Sequence, residues 1–204
     1  MPTLRDKLLA DAKWYHMFKV VIRAEKQMRL ISDDYAKVGP GDKVLDIGCG
    51  DGDIRPFLGD VDYTGIDFNQ DYLDVASSKE NESTRFISAD VSDLAGLGLG
   101  PFDLALGIGL LHHLSDSENA ALLGGVVDAL KPGGRLVTID PLFHHEQRTT
   151  ARVLAALDRG RYVRDQAGYE RVVGEHLTIE RLDVYSDLLV MPYTHCVIEA
   201  RKPL

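Results

Sequence analysis

Between residues 44 and 53 the chain reads Val-Leu-Asp-Ile-Gly-Cys-Gly-Asp-Gly-Asp, an apolar run that meets three glycines at alternate positions. An acid, Asp46, stands two residues before the first of them. Glycine lets the backbone turn sharply there and lets a ligand lie against bare peptide that a Cβ would obstruct. A dinucleotide-binding turn spaces its glycines Gly-x-Gly-x-x-Gly, the third packing helix against strand. Here the order is Gly48-x-Gly50-x-Gly52, and Asp53 holds the third dinucleotide slot. A carboxylate beside the loop repels pyrophosphate and suits an ammonium group, so the chemistry that fits is recognition of a nucleoside bearing an amino acid. About twenty residues on, a second short apolar run (63–67) ends in Asp67, where a carboxylate can accept from two ribose hydroxyls.

Bases and cations come later in the chain. His112 and His113 follow a fourth apolar run at 102–107, and imidazole is the natural group to take a proton near neutral pH. Adjacent residues project to different sides, so one of the two faces the site. The expectation falls on His113, with His112 as second candidate; the alternative for His113 is a ring that bonds the loop backbone and shapes the pocket. His144, His145, Asp140, Tyr193 and His195 are further candidates near later strand ends, and Tyr15 and His16 sit on a leading segment able to close a pocket from above. A metal centre built from these histidines and Asp140 is disfavoured because adjacent histidines rarely ligate one ion, so no metal is expected. From 146 to 171 six arginines stand against four acids in a chain whose net charge is −9. Guanidinium binds carboxylate or phosphate bidentately, which makes Arg161 and Arg164 candidates for an anionic substrate group; the alternative places them on helix faces in water.

The elements that must position these groups follow from periodicity. Residues 4–37 carry apolar side chains at helical spacing, and the Gly39-Pro40-Gly41 turn separates them from the first strand. Short apolar runs at 44–47, 63–67, 85–89, 102–107 and 130–140 alternate with polar stretches, the pattern of a parallel sheet covered by helices. A helix is expected from the capping residues 115–118 to about 130. Beyond 140 the reading is a helix at 147–157, a break at 158–161, a helix at 165–175, and two closing strands at 177–185 and 195–201. The expected organisation is one domain over 1–204, divided into leading helices (1–37), a ligand-binding core (38–140), a cap and helix (141–175) and final strands (176–204).

With Asp46 and its glycines, Asp67-Phe68, Asp90-Val91, the run 102–114 and the Lys131-Pro132-Gly133-Gly134 turn in order, the chain resembles the class I S-adenosylmethionine-dependent methyltransferases, closely over 38–140. The resemblance implies an α/β three-layer sandwich of Rossmann-like type. Its seven-stranded, mostly parallel sheet has an antiparallel last strand, leading helices and a small helical cap. It implies S-adenosyl-L-methionine as cofactor. Gly48, Cys49 and Gly50 would then lie beneath the methionine portion, Asp46 at its ammonium, Asp67 at the ribose and Phe68 over the adenine. Asp90 and the Val91 amide would meet the adenine edge, with Gly107 and Ile108 lining the methionine portion. Asp90 has an alternative role as a cap for the residues that follow it. The cap variable in this family would set the substrate, giving Tyr15, His144, Arg161, Arg164 and Tyr193 as acceptor-side candidates.

Composition excludes more than it assigns. At 204 residues the chain can bury a sizeable core, and no apolar run reaches the roughly 20 residues of a membrane span. Its acidic balance argues against nucleic acid, whose binding needs a basic surface. Two cysteines, Cys49 and Cys196, do not read as a disulfide framework, and the charged amino terminus lacks a signal-peptide core, so a cytoplasmic protein is expected. The reading is a methyltransferase acting on a small molecule, at a hydroxyl of a metabolite or saccharide bearing an anionic group, as monomer or homodimer. Its alternatives are a noncatalytic partner subunit of the same fold, and an enzyme that keeps the cofactor for another reaction. A nicotinamide dehydrogenase is set aside by the missing third glycine and by Asp46.

Overall fold

The apolar runs pair into one mixed sheet. In the computed structural model, which describes residues 25–145, 147, 149–156 and 161–204, the central strand β1 (Lys43–Ile47) lies parallel to β2 (Asp62–Asp67) on one side and β4 (Phe102–Ile108) on the other. Strand β3 (Thr84–Ser88) extends the sheet beyond β2, and β5 (Leu130–Phe143) beyond β4, both in parallel. A two-residue strand, β6 (Arg164–Asp165), pairs with the far end of β5. The closing strands are β7 (Thr178–Tyr185) and β8 (His195–Arg201), and β8 inserts antiparallel between β5 and β7. The order is β3-β2-β1-β4-β5-β8-β7.

Strand alternation divides the core into two. Leu45, Ala105, Leu136 and Ile198 point to one face, under α3 (Asp116–Ala129) and α5 (Gln166–Gly174), with Leu122, Val126, Tyr169 and Val173 packed on them. Their neighbours Val44, Leu104, Leu106, Val137 and Val197 point to the other, covered by Met28, Ile31, Tyr35, Ile54 and Leu58. The outcome is the layered α/β architecture expected, with one strand more than seven. That extra strand exists because β5 runs three residues past 140, giving 164–165 a backbone to pair with.

The helices are less regular than strict alternation predicts. α1 (Glu25–Leu30) passes into a π-helical turn, Ile31–Ala36, which Arg135 fastens by donating to the carbonyls of Tyr35 and Ala36. Between β1 and β2 there is only a 3-10 turn, Arg55–Phe57, started by Pro56, which lacks an amide donor. Between β3 and β4 the turn Val91–Leu97 is also 3-10, with Gly96 inside it and Gly98 ending it in the left-handed region. α2 (Gln70–Ala76) is short and capped by Asn69. α3 starts at a complete capping box of Ser115 and Glu118, as the polar residues there predict. α4 (Thr149–Ala156) and α5, capped by Asp165, fall where expected within one or two residues.

Candidate cofactor and acceptor site

The carboxyl ends of β1, β2, β4 and β5 lie along one edge of the sheet, and the candidate residues collect there. At the end of β1 the backbone takes positive φ at Gly48 (69°) and Gly50 (55°), a conformation that L side chains rarely adopt. A Cβ on Gly50 would meet nothing within 4 Å, so bare peptide borders open space. Cys49 is buried between them, and its thiol is pushed up by that burial, which makes it an inert packing group.

Asp46 is 2% exposed, and its two oxygens differ. Oδ2 accepts from the Tyr63 hydroxyl at 2.5 Å, while Oδ1 is buried with no hydrogen-bond partner. Burial pushes its carboxyl up to about 7; the Tyr63 hydroxyl opposes the shift, and the charges of Asp67 and Asp53 add to it. A buried acceptor without a donor costs free energy unless a donor arrives. Tyr63 escaped the sequence reading. It lies on the neighbouring strand, diagonal to Asp46 across the β1–β2 pair, and no spacing rule marks it.

Asp67 joins two loops. Its Oδ2 accepts from the Gly50 amide at 2.9 Å and its Oδ1 from the Asn69 amide at 2.8 Å. A carboxylate oxygen accepts more than one hydrogen bond, so each keeps capacity for a hydroxyl. Phe68 beside it is 74% exposed, an uncovered aromatic face at the mouth of the site. Asp90 performs the capping role: its Oδ1 accepts from the Ser92 amide (2.9 Å) and hydroxyl (2.8 Å), and these hold its carboxyl below the usual range. Oδ2 takes no part in that cap. Val91 is buried behind it, and Gly107 and Ile108 close β4 on the same edge.

The region beyond β4 and along β5, where acceptor-side residues are expected, separates the paired histidines. His112 is 5% exposed, and its Nδ1 lies 2.7 Å from Oδ1 of Asp140, which is 2% exposed at the edge of β5. The same oxygen accepts from the His112 amide at 3.1 Å, and Asp140 Oδ2 is buried with no hydrogen-bond partner. His113 is exposed, and its ring packs at a tilt against that of His112 with centroids 4.0 Å apart. His144 and His145 form a second tilted pair at 4.5 Å, and half-buried Tyr193 stacks on buried His195 at 5.7 Å.

Arg164 departs from the expectation of an anion-binding group. All five of its N–H donors are committed within the protein, to the carbonyls of Leu111, Leu114 and Tyr162 and to Asp116. Arg161 is exposed in the neighbouring turn. Tyr15 and His16 lie outside the described residues. Among the described residues, no three His, Cys, Asp or Glu side chains converge to hold a metal ion, and no helix is long and apolar enough to cross a membrane.

Comparison with known proteins gives these features a context. Residues 44–134 match a family model described as a methyltransferase domain. A ubiquinone biosynthesis O-methyltransferase of Psychrobacter arcticus is 32% identical over 115 residues, 51% of this chain and 44% of that one. The chain spans about half the length of the curated relatives it matches. A solved S-adenosylmethionine-dependent methyltransferase of Methanosarcina mazei aligns with a TM-score of 0.65 at 19% identity, covering 82% of this chain and 95% of that one. A phosphoethanolamine N-methyltransferase of Haemonchus contortus, solved with S-adenosylhomocysteine, aligns at 0.76 and 15% identity, covering 98% and 59%. Both structural likenesses are under 25% identical and bear on the fold alone.

The residues at this edge fit S-adenosylmethionine, the group named for the Methanosarcina mazei structure. The fit rests on Asp46 Oδ1, a buried acceptor in need of a donor such as an ammonium, and on the glycine loop, where no Cβ intrudes. Asp46 would hold the ammonium, Gly48 and Gly50 the methionine chain, Asp67 the ribose and Phe68 the adenine.

Proposed function

We propose that this chain is a class I Rossmann-like S-adenosylmethionine-dependent methyltransferase that methylates a hydroxyl oxygen of a small-molecule acceptor, with His112 taking the hydroxyl proton. The cofactor supplies a methyl group activated by a positively charged sulfur. The protein's task is to align the acceptor oxygen with that methyl and to remove its proton; alignment of this kind can lower a barrier by about 7–11 kcal/mol.

The observation that carries this reading is the buried His112–Asp140 pair at the carboxyl edge of β4 and β5. Holding Nδ1 against Asp140 assigns proton exchange with an acceptor to Nε2, and the carboxylate stabilises the imidazolium that forms. His112 takes this role in preference to His113. The ring of His113 is exposed beside it and serves as a wall of the acceptor side. His144, Tyr193 and Arg161 border the same edge, Arg161 as the cation for an acidic group on the acceptor.

The test is transfer of labelled methyl from S-adenosylmethionine to a panel of phenols, hydroxylated sugars and amines, each with and without an acidic substituent. Methylation of a hydroxylated compound, reduced about 10²–10⁴-fold by His112→Ala with S-adenosylhomocysteine binding intact, is the expected result. Transfer confined to amines, or full activity in the variant, would overturn it.

A further inference from the structure

His112 is held at three points. Asp140 takes its amide and its Nδ1 from the side of β5, and its carbonyl accepts from the Tyr162 amide at 3.0 Å from the side of the cap. The adjoining carbonyls of the same 3-10 turn, Leu111–His113, are closed by Arg164: Nη1 donates to the Leu111 carbonyl at 3.1 Å and Nη2 to the Leu114 carbonyl at 2.9 Å. Arg164 Nη1 also donates to the Tyr162 carbonyl at 3.0 Å, so one guanidinium ties the cap strand and the histidine turn together. Asp116, at the start of α3, receives Nε at 3.1 Å and Nη2 at 2.7 Å and fixes the plane of the group. The Arg164 side chain is only 9% exposed and lies 5.8 Å over the Tyr169 ring, whose hydroxyl donates to the Pro141 carbonyl next to Asp140.

We infer that Arg164 is a positioning residue that makes seating of the 161–164 cap segment and alignment of the His112–Asp140 pair a single event. This rests on the reading of His112 as the proton acceptor. The segment bearing Arg161 and Tyr162 borders the acceptor side, and it reaches the histidine turn through the Arg164 fork and the Tyr162 amide. Loss of the fork cuts the guanidinium tie between the cap segment and the histidine turn, leaving the Asn119 amide as the side-chain donor to the Leu111 and Leu114 carbonyls. Lysine cannot replace this arrangement, because an ammonium has three donors and no fixed plane.

The test compares the unaltered chain with Arg164→Ala, Arg164→Lys and Arg171→Ala. Arg171 also reaches Asp116, at 2.8 Å, but touches no carbonyl of the histidine turn in the structure. Two quantities are read: hydrogen exchange at the Tyr162 amide, and the pH titration of the His112 ring nitrogens by NMR. Arg164→Ala is expected to speed Tyr162 exchange about tenfold or more and to move the His112 titration midpoint. Arg164→Lys should give the same changes in smaller measure, and Arg171→Ala neither. Unchanged exchange and titration in Arg164→Ala would overturn the inference. Should that variant fail to fold, Arg164→Lys decides in the same two readouts. S-adenosylhomocysteine binding is followed throughout: its absence in the unaltered chain would sink the methyltransfer reading, whereas the two readouts report the coupling independently.

Discussion

The two halves of the sheet edge use carboxylates in opposite ways. On the cofactor side, Asp67 and Asp90 are held by backbone amides close to them in sequence or one glycine loop away, at Asn69, Ser92 and Gly50. On the acceptor side, Asp140 and Asp116 are held by side chains and amides 28 to 55 residues distant, at His112, Arg164 and Arg171. Each half also keeps one buried carboxylate oxygen without a partner, Asp46 Oδ1 and Asp140 Oδ2. The difference teaches that a site made by loop backbone carries its own signature in local sequence, and a site made by converging side chains does not.

The comparison is broken most severely by removing the acceptor-side carboxylate. Asp140→Asn leaves the shape of the pair and removes the charge that stabilises imidazolium; methyl transfer should fall about a hundredfold or more with S-adenosylhomocysteine affinity unchanged. A matching loss of affinity would show that the halves are not separable. The counterpart, Asp67→Ala, removes two charge-assisted bonds to loop amides and the ribose acceptor together. Affinity for S-adenosylhomocysteine by calorimetry should fall about tenfold to a hundredfold.

Arg164→Ala against Arg171→Ala sharpens the acceptor half. The first removes a mostly buried guanidinium and its five hydrogen bonds, with the Asn119 amide still reaching the Leu111 and Leu114 carbonyls; a loss of about 1–3 kcal/mol should show as a lower melting temperature. The second removes an exposed ion pair screened by water, and the melting temperature should not move measurably.

The smallest effect is a pH dependence on the cofactor side. Folding raises the Asp46 carboxyl to about 7, so between about 4 and 7 the folded chain binds a proton that the unfolded chain has released. The stability this proton contributes is therefore lost as pH rises through that window, and the melting temperature should fall accordingly. An ammonium ligand prefers the ionised carboxylate, so S-adenosylhomocysteine affinity should rise across the same window with release of a proton. Asp46→Asn should flatten both trends, the first read by thermal melts and the second by calorimetry in buffers of different ionisation enthalpy.

What was legible follows the same division. The glycines at 48 and 50, the acids ending β1 and β2, the capping box at Ser115 and the closing strands are local patterns, and each appears where its pattern predicts. The helix expected after β1 is missing because Pro56 and the glycine loop leave room for a single 3-10 turn. Sequence could not say which of the adjacent histidines meets Asp140 on β5; the structure brings His112 to it. Charge alone made Arg164 look available; its five donors are taken by groups 2 to 53 residues away.

By itself, then, the order of residues determined the layered α/β class, the bare-peptide loop and the acids near the ends of β1 and β2, because strand alternation and glycine geometry act over a few residues. Tertiary structure alone decided which histidine meets Asp140, that Tyr63 supports Asp46, and that Arg164 binds the protein's own carbonyls. Hydrogen bonds of this kind depend on where separate strands end in space, and no local spacing encodes that position.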